Sequence, residues 1–359
     1  MGQRNRGGID LTREPAIPVP TLLTIVLNYR TPELTLQASD AVLRAMHGLP
    51  GKLIIVDNDS GDGSFERILE AAESQGWTLN GRVEVLRAGQ NGGFGAGNNF
   101  GIRAGLTDGL NPDFIYILNS DAFPDAGAIQ ALLTHLQTHP GTGLAGSYIH
   151  GPDGTPHTTA FRFPGIASEF EGAACTGVIS RLLRRHVVSL PMPQTTCRVD
   201  WLAGASLMIR AEVLDRIGLF DEKFFLYFEE TDLCRRARSA GWFTDYVRES
   251  TVAHIGSVST GMKNWTRTPG YWFDSRHHYF TKTHGRVYAA LATAAHVAGG
   301  LLYRVRSLVG RIPRLDPPYF LRDLARHGLR QFGMRLPRTM RAEPDAARPK
   351  PRQARSVRM

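Results

Sequence analysis

Cysteine is scarce in this chain. Three cysteines, Cys175, Cys197 and Cys234, are scattered through 359 residues, odd in number and without metal-ligand spacing. That excludes a disulfide framework and a cysteine-built zinc site, and it suits a reducing compartment. No apolar run reaches the ~20 residues of a membrane-spanning helix; the longest, Val287 to Tyr303, is interrupted by His296 and two glycines. The segment Met1 to Thr12 lacks the apolar core of a signal peptide, so the body is expected in the cytoplasm. Excess positive charge is missing from the body as well. The net charge is +9, but residues 301–359 hold 15 Lys+Arg against 4 Asp+Glu, leaving 27 basic and 29 acidic groups in the first 300. The body therefore gives no electrostatic case for nucleic acid. There is no G-x-x-x-x-G-K-[ST] and no clean G-x-G-x-x-G, which counts against a P-loop and against a Rossmann dehydrogenase. No internal repeat is present.

What is present is a globular composition, 42% hydrophobic and 21% charged, and a regular alternation of elements. Thr21–Leu27, Lys52–Val56, Arg82–Arg87 and Phe114–Leu118 read as strands, with helices over 32–47, 65–75 and from the glycine-rich Asn91–Asn99 through Leu106. This alternation predicts a doubly wound, mainly parallel α/β sheet with flanking helices. A helix over 126–139, a strand over 143–149, an irregular stretch over 150–200, a helix over 210–217 and a last strand within 243–254 follow, then a Ser/Gly loop from Gly256 to Gly261. The expected organisation is a leader (1–20), a catalytic domain (21–285), an amphipathic helical region that lies on a membrane surface (286–335), with a membrane span or an ordinary buried helix over 287–303 as the alternatives, and a disordered basic tail (336–359).

Chemistry-bearing residues cluster at predicted element ends. Asn119-Ser120-Asp121 closes a buried strand; it suits a hard divalent cation, and equally a helix N-cap. Asp57, after the second strand, could accept hydrogen bonds from a base or ribose, or simply make a turn. The loop Asn91–Asn99, with Gly92, Gly93, Phe94 and Asn98, could bring N–H groups to a phosphate or be a plain glycine turn. Glu229, Glu230 and Asp232 lie within four residues, flanked by the apolar Phe224–Phe228; crowded carboxylates raise one another's pKa and can supply a general base. His254, at another strand end, is a metal ligand or a structural histidine.

The ordered set NYR, VDNDS, NGGFGAGNN, LNSDA, WLAGASLMIR, FDEKFFLYFEETDLCRRARSAGW and the AH-x-x-S of Ala253 to Ser257 resembles family 2 inverting glycosyltransferases, above all rhamnosyltransferase-type members that build cell-envelope polysaccharides. The resemblance covers residues 20–285. It implies a GT-A fold, a nucleotide-diphospho-sugar donor and a Mg²⁺ or Mn²⁺ cofactor. Carried over residue by residue, it makes Asp121 and His254 metal ligands, gives Asp57 the nucleoside, and makes Glu230 the base. The chain has Glu at 230 where the family has Asp, so Glu229 competes for the role; Asn119 stands where many relatives have Asp. Asn28, Tyr29, Arg30, Asn58, Ser60 and Ser120 are expected beside the donor, and Trp201 and Gly204 beside the acceptor hydroxyl. The expected reaction moves a sugar, with dTDP-rhamnose as first candidate donor, onto a lipid-linked glycan at the inner face of the plasma membrane. A nucleotide-sugar oxidoreductase and a non-catalytic binding protein of a polysaccharide assembly complex are the alternatives.

Overall fold

The structure is a computed structural model that describes residues 19–107, 109–256, 265–310, 317–331 and 333. Most of the expected leader, the Ser/Gly loop beyond Gly256 and the basic tail lie outside the described residues. The first half follows the alternation in the sequence: β1 (Leu22–Asn28), α1 (Pro32–Ala45), β2 (Gly51–Asp57), α2 (Ser64–Ser74), β3 (Val83–Arg87), α3 (Phe94–Thr107) and β4 (Phe114–Asn119). Then come β5 (Ala122–Pro124), α4 (Ala128–Thr138), β6 (Thr142–His150), β7 (Ala160–Phe161), α5 (Ile166–Ala174), α6 (Gly177–Leu182), β8 (Cys197–Val199), β9 (Trp201–Leu202) and β10 (Ser206–Arg210). The chain continues through α7 (Ala211–Ile217), α8 (Glu229–Ser239), β11 (Phe243–His254), α9 (Gly270–His284), α10 (Arg286–Gly310) and α11 (Phe320–Gln331).

Among the described residues, the main sheet runs β3-β2-β1-β4-β10-β6-β11-β5, with β8 also on β11. β1, β2, β3 and β4 are parallel, as are β6 and β11; β10 runs antiparallel between β4 and β6. Alternate residues of β1 feed two cores: Leu22 and Val26 join α1, α2 and α4 on one face, and Leu23 and Ile25 join α3, α7 and α8 on the other. Burial on both faces is why these strands read as continuous apolar runs. On α3, Gly97, Gly101 and Gly105 recur every four residues. A Cβ there would meet Leu27, Ile25 and Leu23 at 2.5, 3.0 and 2.7 Å, so the glycines let the helix lie directly on β1.

Two expectations about the fold change. The stretch 150–200 is not simply irregular, since it forms α5 and α6. The residues after Asp121 form the short strand β5 rather than a helix cap, because β11 supplies a partner edge. Beyond residue 285, α10 packs on α5 and α9, and with Phe224 these helices enclose a third core of Tyr279, Phe280, Ala289 and Ala292. A buried ion cluster joins them: Glu169 accepts from Arg276 Nη2 at 2.8 Å and from His296 Nδ1 at 2.6 Å. Among the described residues, no helix is long and apolar enough to cross a membrane.

Candidate active site

Parallel register sets the site's floor. Asn28 is level with Asp57, and Leu27 with Asn119, so β1, β2 and β4 stop together at their carboxyl ends. A cavity of about 960 Å³ opens above this edge. Open α/β sheets place their ligands there.

Asp121 and His254 meet on the cavity wall because of how β11 bends. Its pairing with β6 slips between Val247 and Thr251, and the redirected end pairs with β5 so that His254 lies opposite Ala122. That puts His254 Nε2 3.1 Å from Asp121 Oδ1, while Gly256 N–H donates to Oδ2 at 3.0 Å. Burial pushes the Asp121 carboxyl up, but the bond and charge of His254 and the backbone donor outweigh it and hold the group below the ordinary aspartate range. The pair fits a divalent ion shared with a substrate. The described residues contain no third Asp, Glu, His or Cys in the cluster. The remaining positions would fall to substrate phosphates and water.

The same cavity is lined by Glu229 and Glu230 at the start of α8. They enter the helix through two consecutive residues in the left-handed region, Tyr227 (φ 71°) and Phe228 (φ 70°), a conformation that costs non-glycine residues about 1–3 kcal/mol each. Glu230 Oε1 accepts from Gly204 N–H at 3.4 Å, and Oε2 of each glutamate is buried without a hydrogen-bond partner among the described residues. Burial raises both carboxyls. Glu229 is raised well above the ordinary glutamate range because the charge of Glu230 adds to its burial, whereas the Gly204 N–H favours the Glu230 carboxylate. The pair shares its protons, and the Gly204 N–H favours negative charge on Glu230 over Glu229.

The glycine loop has a different task from the one expected. Phe94 N–H donates to Phe225 O at 3.0 Å and Gly93 N–H to Asn91 Oδ1 at 3.0 Å, so these donors serve the protein and not a phosphate. Gly93 sits at φ +89°, and a Cβ there would lie 1.8 Å from Phe225 O. Asn99 clasps the same segment by accepting from Phe220 N–H and donating to Phe220 O. The loop thus docks residues 220–225, which lead directly into the glutamate pair.

Residues 23–191 match the family model for glycosyl transferase family 2. Over that stretch, just under half of the chain, the sequence is similar to family 2 glycosyltransferases. It is 28% identical over 225 residues to the N-acetylglucosaminyl-diphospho-decaprenol L-rhamnosyltransferase of Mycobacterium tuberculosis, across 59% of this chain and 69% of that protein. It is 28% identical over 195 residues to the low-salt glycan biosynthesis hexosyltransferase Agl10 of Haloferax volcanii, across 52% and 53% of the two chains. The crystal structure of GalNAc-T7 with UDP, GalNAc and Mn²⁺ shares the fold with a TM-score of 0.52 at 13% identity, over 88% of this chain and 57% of that one. These matches support a glycosyltransferase over an oxidoreductase or a non-catalytic binding protein.

Of the glycosyltransferase's expected site residues, Tyr29, Asn58, Gly93, Phe94, Ser120, Asp121, Gly204, Glu229, Glu230 and His254 line the cavity. Asn28, Asp57 and Ser60 stand behind its wall. Asn28 Nδ2 donates to Asp57 Oδ1 at 2.7 Å and to Ser60 Oγ at 3.1 Å, and Ser60 Oγ donates to Asp57 Oδ1 at 2.6 Å. Arg30 binds Ser60 O, Gly92 lies against Ala96, and Asn98 donates to Phe94 O, all outside the cavity. Two further expected residues, Asp232 and Trp201, are not among those that line the cavity. Asp232 turns away from the glutamates to Arg236 and Lys282, each at 2.8 Å. Trp201 stacks on Phe161 at 4.2 Å and donates to Arg162 O, so it is a packing residue. Sequence reasoning missed His157, Trp265, Arg267 and Tyr271, which also line the cavity. Phe225, Tyr227, Trp265 and Tyr271 form a continuous aromatic wall. The FFLYF run was the one visible signal, though it reads equally as core.

Proposed function

We propose that this glycosyltransferase moves a hexose, with L-rhamnose from dTDP-rhamnose as first candidate, from a nucleotide-diphospho-sugar to a hydroxyl of a lipid-linked glycan, inverting the anomeric centre. The acceptor class follows the printed name of the mycobacterial relative. The observation that carries the reading is the pair of buried glutamates with unpaired oxygens on the same cavity as Asp121 and His254. Asn58, whose Oδ1 is buried without a partner among the described residues and which lines the cavity, would accept from the nucleoside. The aromatic wall suits the apolar face of an acceptor sugar.

Asp121 and His254 would hold a Mg²⁺ or Mn²⁺ ion together with the donor diphosphate. When bound, that ion neutralises charge building on the leaving phosphate oxygen. Glu230 takes the proton of the acceptor hydroxyl, and the oxygen's electron pair forms the new bond to the anomeric carbon. The bond from that carbon to the diphosphate oxygen breaks, and its electrons leave with the nucleoside diphosphate. Glu229, raised by its burial and by the charge of Glu230, favours a single negative charge on the pair. The peripheral site of action, the inner face of the plasma membrane in polysaccharide synthesis, belongs to the same proposal.

The test is nucleoside diphosphate release from a panel of nucleotide sugars, with Mg²⁺ or Mn²⁺ and a lipid-diphospho-N-acetylglucosamine acceptor. Acceptor-dependent release from one sugar nucleotide supports the reading. Release from none, with the protein folded, would refute it.

A further inference from the structure

Helix α10 is apolar on two faces. On one, Gly299 lies against Phe170 and Ala173 of α5, and Gly300 lies against Leu321 of α11. On the other, Leu301, Val305 and Leu308 follow i, i+4, i+7 spacing and stand in solvent, Val305 at 59% and Leu308 at 69% exposure. Helix α6 presents a matching pair, Val178 at 79% and Leu182 at 81%, also one turn apart. Arg306 joins the two elements: its Nη1 donates to Ala174 O and Cys175 O, both at 3.1 Å, in the turn from which α6 starts.

The exposed charge of these two segments has one sign, the nearby Glu171 being buried against Ser180. Residues 172–199 and 286–310 contain no Asp or Glu, and Arg181, Arg184 and Arg185 are exposed around Leu182. Soluble monomers seldom leave large apolar side chains grouped on neighbouring elements in water without a partner for them. Leucines and valines beside the exposed Arg181, Arg184 and Arg185 complement a lipid surface, in which the side chains enter the headgroup boundary and the guanidiniums meet anionic phosphates. We infer that α6 and the C-terminal half of α10 form one docking face for an anionic bilayer. This rests on the proposal that the acceptor is lipid-linked. It adds α6, which the sequence did not connect with membranes, and it specifies the lipid charge.

The test is sedimentation of the full chain with vesicles of phosphatidylcholine, alone or with phosphatidylglycerol, at low and high salt. The protein should sediment with the anionic vesicles and be released by salt. Replacing Arg181, Arg184 and Arg185 by Gln should lower the partition coefficient by about two orders of magnitude, at ~fivefold per arginine. Val178→Ser with Leu182→Ser should lower it at least ~tenfold. Both variants should keep the wild-type melting temperature and the wild-type turnover of a soluble acceptor. Equal sedimentation of wild type with neutral and anionic vesicles would overturn the inference. So would α6 variants that bind like wild type while Leu301→Ser with Val305→Ser does not; that result removes α6 from the face and leaves the lipid-linked acceptor standing. A wild-type dimer in vesicle-free buffer that the α6 variants convert to monomer would also overturn it, by making the face a protein interface. Absence of turnover in wild type counts against the proposed function and not against the docking face.

Discussion

Replacing Glu230 by Gln should inactivate the enzyme and stabilise it at once. Glutamine keeps the size of the side chain and an oxygen to accept from Gly204 N–H, but it cannot take a proton. Removing a general base lowers turnover by about 10²–10⁴-fold. The stability effect has its source in burial. Glu229 and Glu230 are both buried, each with an unpaired oxygen, and Glu230's charge raises Glu229. A carboxyl raised in the folded state binds more protons than in the unfolded chain. Its protonated form is accommodated at low pH, and stability is lost as pH rises from the ordinary glutamate range through the raised value. The variant, isosteric with protonated glutamate, escapes that loss. The gain should be of the order of one relieved buried polar group, about 1–3 kcal/mol, or roughly 1–4 °C for a chain of this length. It should be clear at pH 8 and vanish towards pH 5. Differential scanning calorimetry at the two pH values, alongside the transfer assay, reads both. A melting temperature at pH 8 below that of wild type would show that Glu230 is a structural partner of Gly204, and full activity would move the base to Glu229.

Gly93→Ala should cost at least ~2 kcal/mol in a urea melt, because the new methyl meets Phe225 O and the backbone sits at φ +89°; activity should fall too, since Phe225 leads into the glutamates. Glu169→Gln should cost about 3–5 kcal/mol near neutral pH by leaving Arg276 buried without its counter-charge. Burial opposes the Glu169 charge, but Arg276 and His296 hold the carboxyl down to about 2. A depressed carboxyl contributes stability above its unfolded pKa and loses it as pH falls, so the wild-type advantage should shrink between about pH 5 and pH 2 in acid titrations. Asp323→Asn should weaken the two-bond clasp that holds cavity-lining Arg267 to α11, at 2.7 and 2.9 Å. The pair is partly exposed, so stability should change by less than ~1 kcal/mol; a raised KM for acceptor with kcat retained would mark it as a positioning contact.

The strands of the first half were legible because parallel strands buried on both faces must be written as apolar runs. The C-terminal helices were less so. α9 carries Asp274, Arg276, His277 and Lys282 among aromatic residues, and Arg276 is buried only because Glu169, more than a hundred positions away, supplies its partner. α5 could not be read for the same reason: its packing surface is α10. In the site, Asp121 alone was ambiguous between cap and ligand. The pairing of β5 with β11 brings His254 to it, and no local pattern encodes that pairing. Asp57 shows the converse. Asp, Asn and Ser at a strand end serve a ligand and a turn equally well, and here the carboxylate is occupied by Asn28 and Ser60. The glycine loop likewise reads as a phosphate cradle until Phe225 is seen against it.

The most direct measurement of the central claim is donor turnover as a function of Mn²⁺ in wild type, Asp121→Asn and Glu230→Gln, with binding of the sugar nucleotide followed separately by calorimetry. The account predicts metal-dependent release of nucleoside diphosphate from wild type only. Asp121→Asn should lose metal-dependent donor binding, and Glu230→Gln should bind the donor as wild type does without turning it over. Turnover that ignores Mn²⁺ and Mg²⁺, or that survives in both variants, would contradict it.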